Sequence, residues 1–283
     1  MVKAGFHVSI AGSLDRSVER AKKSGCDTFQ IFTGNPRGWK AKEIEDETAE
    51  KFISKLGNSG IEPVVAHMPY LPNLATPKPD VYEKSCDVLL REIKRCGVLK
   101  IPYLVTHLGS HLGTGRDGGI ERTIDAVVNA IDSEKSSVMI LLENTSGTKN
   151  SIGGTLEDIG EIMDGIGKSK RLGACFDTCH AFAGGYEIST EKGLSETLSD
   201  FDTLIGLDNL KVIHINDTKG ECGSRLDRHE HIGLGKIGDE GMARILRHQK
   251  LSSLPFILET PVDERRDDRG NIAHLRELAG REN

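Results

Sequence analysis

The chain has 283 residues, of which 37% are hydrophobic and 28% charged, so it is long enough to bury a large core. Its 37 basic and 43 acidic residues give a formal net charge of −6, which by itself argues against a polyanionic partner. The best apolar run, at 138–142, is far shorter than the ~20 residues that span a bilayer, and the first residues lack the apolar stretch of a signal peptide. We therefore expect a cytoplasmic protein and exclude membrane and secreted classes.

Short β-branched runs alternate with amphipathic helical stretches along the whole chain. The first four strand–helix pairs are predicted at 5–9 and 14–24, 28–33 and 44–58, 63–67 and 80–96, and 103–108 and 120–134. The other four are predicted at 138–144 and 155–166, 172–177 and 194–204, 211–216 and 240–248, and 256–260 and 272–278. The helices show apolar residues at 3.6-residue spacing, and the short apolar runs suit strands buried on both faces of a parallel sheet.

Eight strand–helix units are the number that closes a (β/α)₈ TIM barrel, whose usual size is ~250 residues. A doubly wound open sheet is the competing fold. It normally carries a glycine-rich phosphate loop after the first strand, and Ala11-Gly12-Ser13 does not match that motif. The 32 glycines scatter through turns and do not mark a linker. We therefore predict a single barrel domain over residues 1–283, with its active site at the carboxyl ends of the strands.

Polar residues end six consecutive apolar runs, from the third predicted strand to the eighth. They are His67, His107, Glu143, Asp177, His214 and Glu259. The carboxyl ends of barrel strands meet at one mouth, where this many ionisable groups would be costly to bury unless a metal compensates them. The pattern therefore predicts metal coordination. Imidazole combined with carboxylate suits zinc, and also manganese or iron.

Three further candidate ligands lie in the predicted loops after strands six and seven. They are His180, in D-T-C-H, and Asp227 and His229, in D-R-H. Nine ligands suffice for three ions only if some carboxylates bridge, and Glu143 is central in the series. Clustered divalent ions lower the pKa of bound water to ~7 and clamp the oxygens of a phosphoryl group. Their charge also offsets the net charge of −6, so a polyanionic substrate becomes compatible with the composition.

Several motifs are distributed along nearly the whole chain, from G-F-H-V-S at 5–9 to E-T-P at 259–261. The most specific are L-L-E-N-T-S-G at 141–147, F-D-T-C-H-A-F-A at 176–183, H-I-N-D-T-K at 214–219 and S-R-L-D-R-H-E-H-I-G-L-G-K-I-G at 224–238. F-T-G-N-P-R-G-W at 32–39 and H-M-P-Y-L-P-N-L-A at 67–75 accompany them. Together these motifs resemble those of the endonuclease IV family, zinc-dependent apurinic/apyrimidinic endonucleases of base-excision repair.

The resemblance implies a trinuclear zinc site. The implied ligands are His67, His107 and bridging Glu143 for one ion; Glu143, Asp177, His214 and Glu259 for the second; and His180, Asp227 and His229 for the third. Glu143 and Glu259 would be catalytic, and manganese could replace zinc in some sites. The implied reaction cuts the phosphodiester 5′ to an abasic site, leaving a 3′-hydroxyl and a 5′-deoxyribose phosphate, and the family also trims blocked 3′ ends. The implied partner is double-stranded DNA, and we expect a monomer without an obligate protein partner.

The resemblance also implies DNA contacts in the loops around the barrel mouth. Arg37 and Tyr70 match by position the residues that the family inserts into DNA, whereas Gly38 replaces a larger polar residue. The other candidate contacts are Trp39, Asn73, Lys219 and Arg228. An alternative role for Trp39 is a hydrophobic lid over the barrel.

Two other function classes remain open at the level of sequence. A divalent-metal sugar isomerase or epimerase could share Glu143, Asp177, His214 and Glu259 at the ends of the same strands. Such an enzyme has little use for the D-R-H motif and more often supplies a lysine base, which no predicted strand end offers. A non-catalytic nucleic-acid-binding barrel would need basic surface more than a dense ligand cluster.

Overall fold

Strands and helices alternate along the computed structural model, which describes residues 2–280. The strands are β1 (Lys3–Phe6), β2 (Phe29–Ile31), β3 (Val64–His67), β4 (Tyr103–Thr106), β5 (Met139–Glu143), β6 (Leu172–Asp177), β7 (Leu210–His214), β8 (Asp217–Thr218), β9 (His229–Glu230) and β10 (Pro255–Leu258). The helices are α1 (Asp15–Lys23), α2 (Asp46–Gly57), α3 (Pro79–Leu99), α4 (Arg116–Ser133), α5 (Leu156–Ile166), α6 (Thr178–Gly184), α7 (Glu191–Leu204), α8 (Gly238–Arg247) and α9 (Asp268–Gly280). A short 3₁₀ helix (Leu207–Asn209) precedes β7.

Eight of the strands form one parallel sheet that closes on itself. Their order is β1-β10-β7-β6-β5-β4-β3-β2. The two edge strands meet where His7 and Gln30 form a parallel bridge, and the Val8 N–H donates to the Gln30 carbonyl at 2.7 Å. The predicted (β/α)₈ barrel is therefore confirmed. None of the helices within residues 2–280 is long and apolar enough to cross a membrane.

The barrel interior explains why the strand ends converge. Its buried apolar cluster consists of Val65, Val105, Leu141, Cys175, Val212 and Ile257. Side chains two residues apart on a strand point to the same face, so the residue two positions after each of these also points inward. Those residues are His67, His107, Glu143, Asp177, His214 and Glu259. The six predicted strand-end residues thus form the next layer of the barrel interior, above an apolar floor.

The structure differs from the predicted elements at two places after β6 and β7. Residues 178–184, predicted as a loop, form helix α6, because the Asp177 carboxylate accepts the His180 N–H at 2.7 Å and caps the helix. The predicted loop after β7 contains an antiparallel pair, in which Asp217 faces Glu230 and Thr218 faces His229. Both additions lie beside the barrel mouth and carry candidate ligands.

Candidate functional site

The first group of candidate ligands is His67, His107 and Glu143, at the ends of β3, β4 and β5. Glu143 is fully buried, and its Oε2 lies 3.1 Å from His67 Nε2 and 3.0 Å from His107 Nε2. One potential ligand atom from each residue falls within 4.8 Å of the others. Two imidazole nitrogens and one carboxylate oxygen therefore converge on a volume that a single ion could occupy.

The second group shares Glu143 with the first. It consists of Glu143, Asp177, His214 and Glu259, whose ligand atoms also lie within 4.8 Å of one another. His214 Nδ1 lies 3.0 Å from Glu143 Oε1, 3.6 Å from Glu259 Oε2 and 4.0 Å from Asp177 Oδ2. The two oxygens of Glu143 thus face different groups, which is the arrangement that a bridging carboxylate requires.

The third group is His180, Asp227 and His229, which α6 and the β8–β9 pair bring together. Asp227 Oδ1 lies 3.4 Å from His180 Nε2 and 3.5 Å from His229 Nε2. Asp177, Cys179 and His229 also lie close enough to form a group. Burial raises the pKa of the Cys179 thiol to about 12. At neutral pH the thiol is therefore a poorer metal ligand than the Asp227 carboxylate.

The second ring nitrogen of three histidines is held by a backbone carbonyl. His67 Nδ1 donates to Met68 O at 2.7 Å, His180 Nδ1 to Asn144 O at 2.9 Å, and His229 Nδ1 to Glu259 O at 3.0 Å. In the neutral tautomer each ring then presents an unprotonated Nε2 to a carboxylate oxygen. Two lone pairs facing each other repel, so a proton or a metal ion must lie between them. This geometry fits a metal centre.

The carboxylates and imidazoles shift one another's pKa values strongly. Burial raises the pKa of Glu143, but the imidazoles of His107 and His214 outweigh burial and hold that pKa well below its usual range. Burial likewise lowers the pKa of His180, but Asp177 and Asp227 outweigh it and raise the pKa to about 10. Glu143 and Asp227 are therefore ionised, and a cation, either a proton or a metal, is favoured beside them.

Two buried asparagines join the candidate ligands to one another, and the sequence reasoning missed both. Asn144 holds the backbone of Asp177, accepting its N–H at 2.8 Å and donating to its carbonyl at 3.0 Å. Asn216 donates to Asp177 Oδ2 at 2.7 Å and accepts the Glu259 N–H at 2.8 Å. Their signal in the sequence is an amide one or two residues after a strand-end ligand, in L-L-E-N and H-I-N-D.

Asp217 organises the segment that carries the third group. Its buried carboxylate accepts backbone N–H groups at 2.8–3.2 Å; the donors are Thr218, Gly233, Gly235, Ile237 and Gly238. A side chain on Gly235 would meet Asp217 Oδ1 at 2.4 Å, so only glycine allows this close approach. The loop that follows His229 is therefore anchored to the strand on which Asp217 lies.

Arg37 and Tyr70 lie on the rim of the barrel mouth. Arg37 is exposed, and its guanidinium makes no hydrogen bond or ion pair with the described residues. Tyr70 is 66% exposed, its ring packs edge-on against Phe32 at 5.1 Å, and its N–H donates to Pro36 O at 3.2 Å. The loops after β2 and β3 are thus linked, and both present free side chains to solvent above the ligands.

The other four predicted DNA contacts have different surroundings. Trp39 is partly buried against the core, and its carbonyl accepts from Arg91 at 2.8 Å. Asn73 uses its amide to hold the next loop, donating to Ser110 O at 3.0 Å and accepting the Ser110 N–H at 2.9 Å. Lys219 and Arg228, in contrast, are exposed on the β8–β9 segment. DNA contact by these four residues stays a prediction.

A cavity of about 380 Å³ opens above the three groups. It is lined by His7, Phe32, His67, Tyr70, His107, His180, Asp227, His229, Leu258, Glu259, Thr260, Val262 and Asp268. Six of the lining residues are candidate ligands, and the exposed ring of Tyr70 also lines the cavity. We call the nine candidate ligands of the three groups the ligand layer, and the loops after β2 and β3 the rim. A substrate placed in the cavity would contact both.

Comparisons with known proteins agree with the barrel fold. A family model described as xylose isomerase-like TIM barrel matches residues 18–278. A protein of Methanoculleus marisnigri named probable endonuclease 4 is 56% identical over 281 residues, covering 99% of this chain and 100% of the relative. The crystal structure of endonuclease IV from Thermus thermophilus superposes with a TM-score of 0.87 at 33% identity, covering 98% of each chain. A D-tagatose 3-epimerase-like protein reaches a TM-score of 0.73 at 20% identity, covering 98% of this chain and 96% of its own, which shows the fold alone.

Proposed function

Because this chain belongs to the endonuclease 4 family of xylose isomerase-like TIM barrels, we propose that it is an apurinic/apyrimidinic endonuclease of DNA repair. Its reaction is hydrolysis of the phosphodiester 5′ to an abasic site, leaving a 3′-hydroxyl and a 5′-deoxyribose phosphate, with trimming of blocked 3′ ends. The observation that carries the proposal is the convergence of nine imidazole and carboxylate side chains into three adjoining groups below one open cavity.

Three zinc ions suit these groups, and manganese fits the same donors at some positions. The donor set contains nitrogen and oxygen atoms only, in threes and fours, which matches the preferences of zinc. His67, His107 and Glu143 would hold the first ion, and His180, Asp227 and His229 the third. Glu143 would also complete the second site, together with the residues Asp177, His214 and Glu259. Such ions supply Lewis acidity, which lowers the pKa of water and offsets charge on phosphoryl oxygens.

The chain's own contribution to the chemistry is a fixed and ionised ligand layer. Glu143 and Glu259, whose pKa values lie well below the usual range, stay charged at neutral pH and are the residues we assign to catalysis. Asn144 and Asn216 hold Asp177 and Glu259 in place, so the layer does not have to reorganise when a phosphate arrives. A preorganised layer of this kind can stabilise charge that develops on a phosphoryl group during hydrolysis.

The rim supports a DNA substrate with a gap in its base stack. Arg37 and Tyr70 project from adjoining loops and are free to enter a groove, since neither side chain is held by a hydrogen bond to the described residues. Entry of such side chains is favoured where a missing base lowers the cost of unstacking. Lys219 and Arg228 add positive charge beside the third group, where they would face phosphates of the backbone.

A sugar isomerase or epimerase on the same barrel is the weaker alternative. It would leave the group of His180, Asp227 and His229 without a role, although these residues converge as closely as the others. Among the described residues that line the cavity there is no lysine that could serve as a base. Both observations favour the nuclease.

The test is metal analysis of the purified protein together with cleavage of a duplex that carries one abasic analogue. We expect three zinc ions per chain and a single cut 5′ to the lesion, with an unmodified duplex of the same sequence left intact. An intact abasic duplex in the presence of a full metal complement, together with turnover of a ketose, would contradict the proposal.

A further inference from the structure

Gln30 is a buried polar residue in the middle of β2, within the apolar run F-Q-I, and no part of its side chain is exposed. Its amide contacts two of the candidate ligands. Gln30 Nε2 lies 2.6 Å from Glu259 Oε1, and Gln30 Oε1 lies 2.8 Å from His214 Nε2. Glu259 follows β10 and His214 ends β7, which lie two and three strands from β2 around the closed barrel, so one amide connects them across the barrel interior.

The chemistry of the Glu259 carboxylate, the Gln30 amide and the His214 imidazole determines which atom donates each hydrogen bond. The Glu259 carboxylate can only accept, so the Gln30 atom that faces it must be the NH₂ group. The Gln30 oxygen then faces His214 Nε2, which must carry the proton of that hydrogen bond. A neutral His214 with its proton on Nε2 leaves Nδ1 bare, and Nδ1 is the atom that faces Glu143, Glu259 and Asp177. Gln30 thus selects the tautomer in which His214 can coordinate a metal.

The remaining N–H of Gln30 is also used, because Nε2 lies 3.0 Å from Nδ1 of His7. His7 Nδ1 accepts this bond when the ring is neutral with its proton on Nε2. The ring of His7 packs against Phe32 with centroids 4.2 Å apart, which restrains its position. Both donors and the oxygen of the Gln30 amide are therefore occupied, and the amide has a single orientation.

We propose that Gln30 is a positioning residue for the second metal group, holding Glu259 in place and setting the tautomer of His214. The proposal rests on the metal centre of the proposed function. Gln30 touches none of the ligand atoms of the first and third groups, so its effect is selective. Loss of the amide should weaken one ion of the three and leave the other two in place.

Zinc release from the full-length, zinc-loaded protein tests this inference. Gln30→Met keeps the length of the side chain but removes both hydrogen-bonding groups. We expect one of three zinc ions to transfer to a coloured chelator about 10- to 100-fold faster than in the wild type, the usual cost of removing a partner that orients a metal ligand. The other two ions should leave at the wild-type rate.

Two further variants separate positioning from folding. Gln30→Glu keeps an oxygen for His214 but places a second carboxylate oxygen against Glu259, so we expect accelerated release of the same ion even if Gln30→Met fails to fold. Gln249→Met makes the same chemical change at an exposed position and should release zinc as the wild type does. The melting temperature of each metal-free variant provides the structural readout.

The outcomes are distinct. Unchanged zinc release in folded Gln30→Met and Gln30→Glu, with only a lowered melting temperature, would overturn the positioning role and leave the proposed function intact. A wild-type protein that holds no metal would refute the metal centre itself before any variant is compared.

Discussion

The ligand layer and the rim of the barrel mouth are built in opposite ways. In the layer, Glu143 is fully buried between imidazoles, and neighbouring amides hold the adjoining carboxylates. On the rim, Arg37 is exposed without a side-chain partner among the described residues, and Tyr70 is 66% exposed. Preorganisation would suit a layer that holds ions in a fixed geometry, whereas exposed side chains would suit a surface that adapts to DNA. Mutations in the layer should therefore affect chemistry, and mutations on the rim should affect binding.

The largest effect is expected from Glu143→Gln. An amide retains the shape but removes the charge that two groups share, so at least one ion should be lost and the cleavage rate should fall about 10³-fold, equivalent to several kcal/mol of transition-state stabilisation. Single-turnover cleavage and metal analysis measure both quantities. The matched control is Glu157→Gln on α5, an exposed carboxylate that should have no effect. A wild-type rate with unchanged metal content would show that Glu143 is not a shared ligand.

Zinc affinity should depend on pH through the histidines of the layer. With its pKa raised to about 10, His180 in the metal-free protein carries a proton at neutral pH, and zinc binds only the deprotonated ring. Lowering the pH therefore weakens zinc binding, by about tenfold per pH unit for each proton displaced. Competition with a chelator between pH 8 and pH 6 measures this dependence. An affinity that stays constant over that range would mean that zinc does not displace a proton.

Arg37→Ala tests the rim. Because the guanidinium has no partner among the described residues, its loss should leave the melting temperature unchanged. The Kd for an abasic duplex should rise about tenfold, which corresponds to one charge-assisted hydrogen bond. Turnover at saturating DNA should stay within about threefold of wild type. Arg37→Lys keeps the charge but not the planar guanidinium, so its Kd should lie between those of the wild type and Arg37→Ala. A fall in turnover with unchanged Kd would place Arg37 in the chemistry.

The smallest effects are expected from Lys219→Ala and Arg228→Ala. In each variant, the plot of the logarithm of the DNA-binding constant against the logarithm of salt concentration should become less steep by about one, with no change in lesion preference. Lys168→Ala is the control, because Lys168 is exposed between α5 and β6, at the opposite end of the barrel. Binding titrations at several salt concentrations give the slopes. If the control lowers the slope equally, the β8–β9 segment has no special contact with DNA.

Much of the ligand layer was predictable because the signals are local. An apolar run that ends in a histidine or carboxylate identifies a strand and its mouth-facing residue, and alternation along the strand puts Leu141 and Glu143 on one face. The packing of the rim residues was less predictable. The sequence marks Asn73 and Trp39 only as candidate DNA contacts, and it does not show that Asn73 holds a neighbouring loop or that Trp39 packs on the core.

The sequence by itself determined the alternation of strands and helices, the barrel and the residues at its mouth, since each depends on neighbours within a few positions of the chain. The grouping of the candidate ligands followed from the sequence only through the family resemblance, and the tertiary structure alone shows what holds them. Gln30 bonds Glu259 across 229 positions and His214 across 184, contacts that exist because β1 and β2 meet and close the barrel. Helix α6 depends in the same way on a cap by Asp177, a residue whose place in the layer comes from the sheet. Residues this far apart in the chain come into contact because the sheet closes, and the local sequence pattern does not indicate which of them will pair.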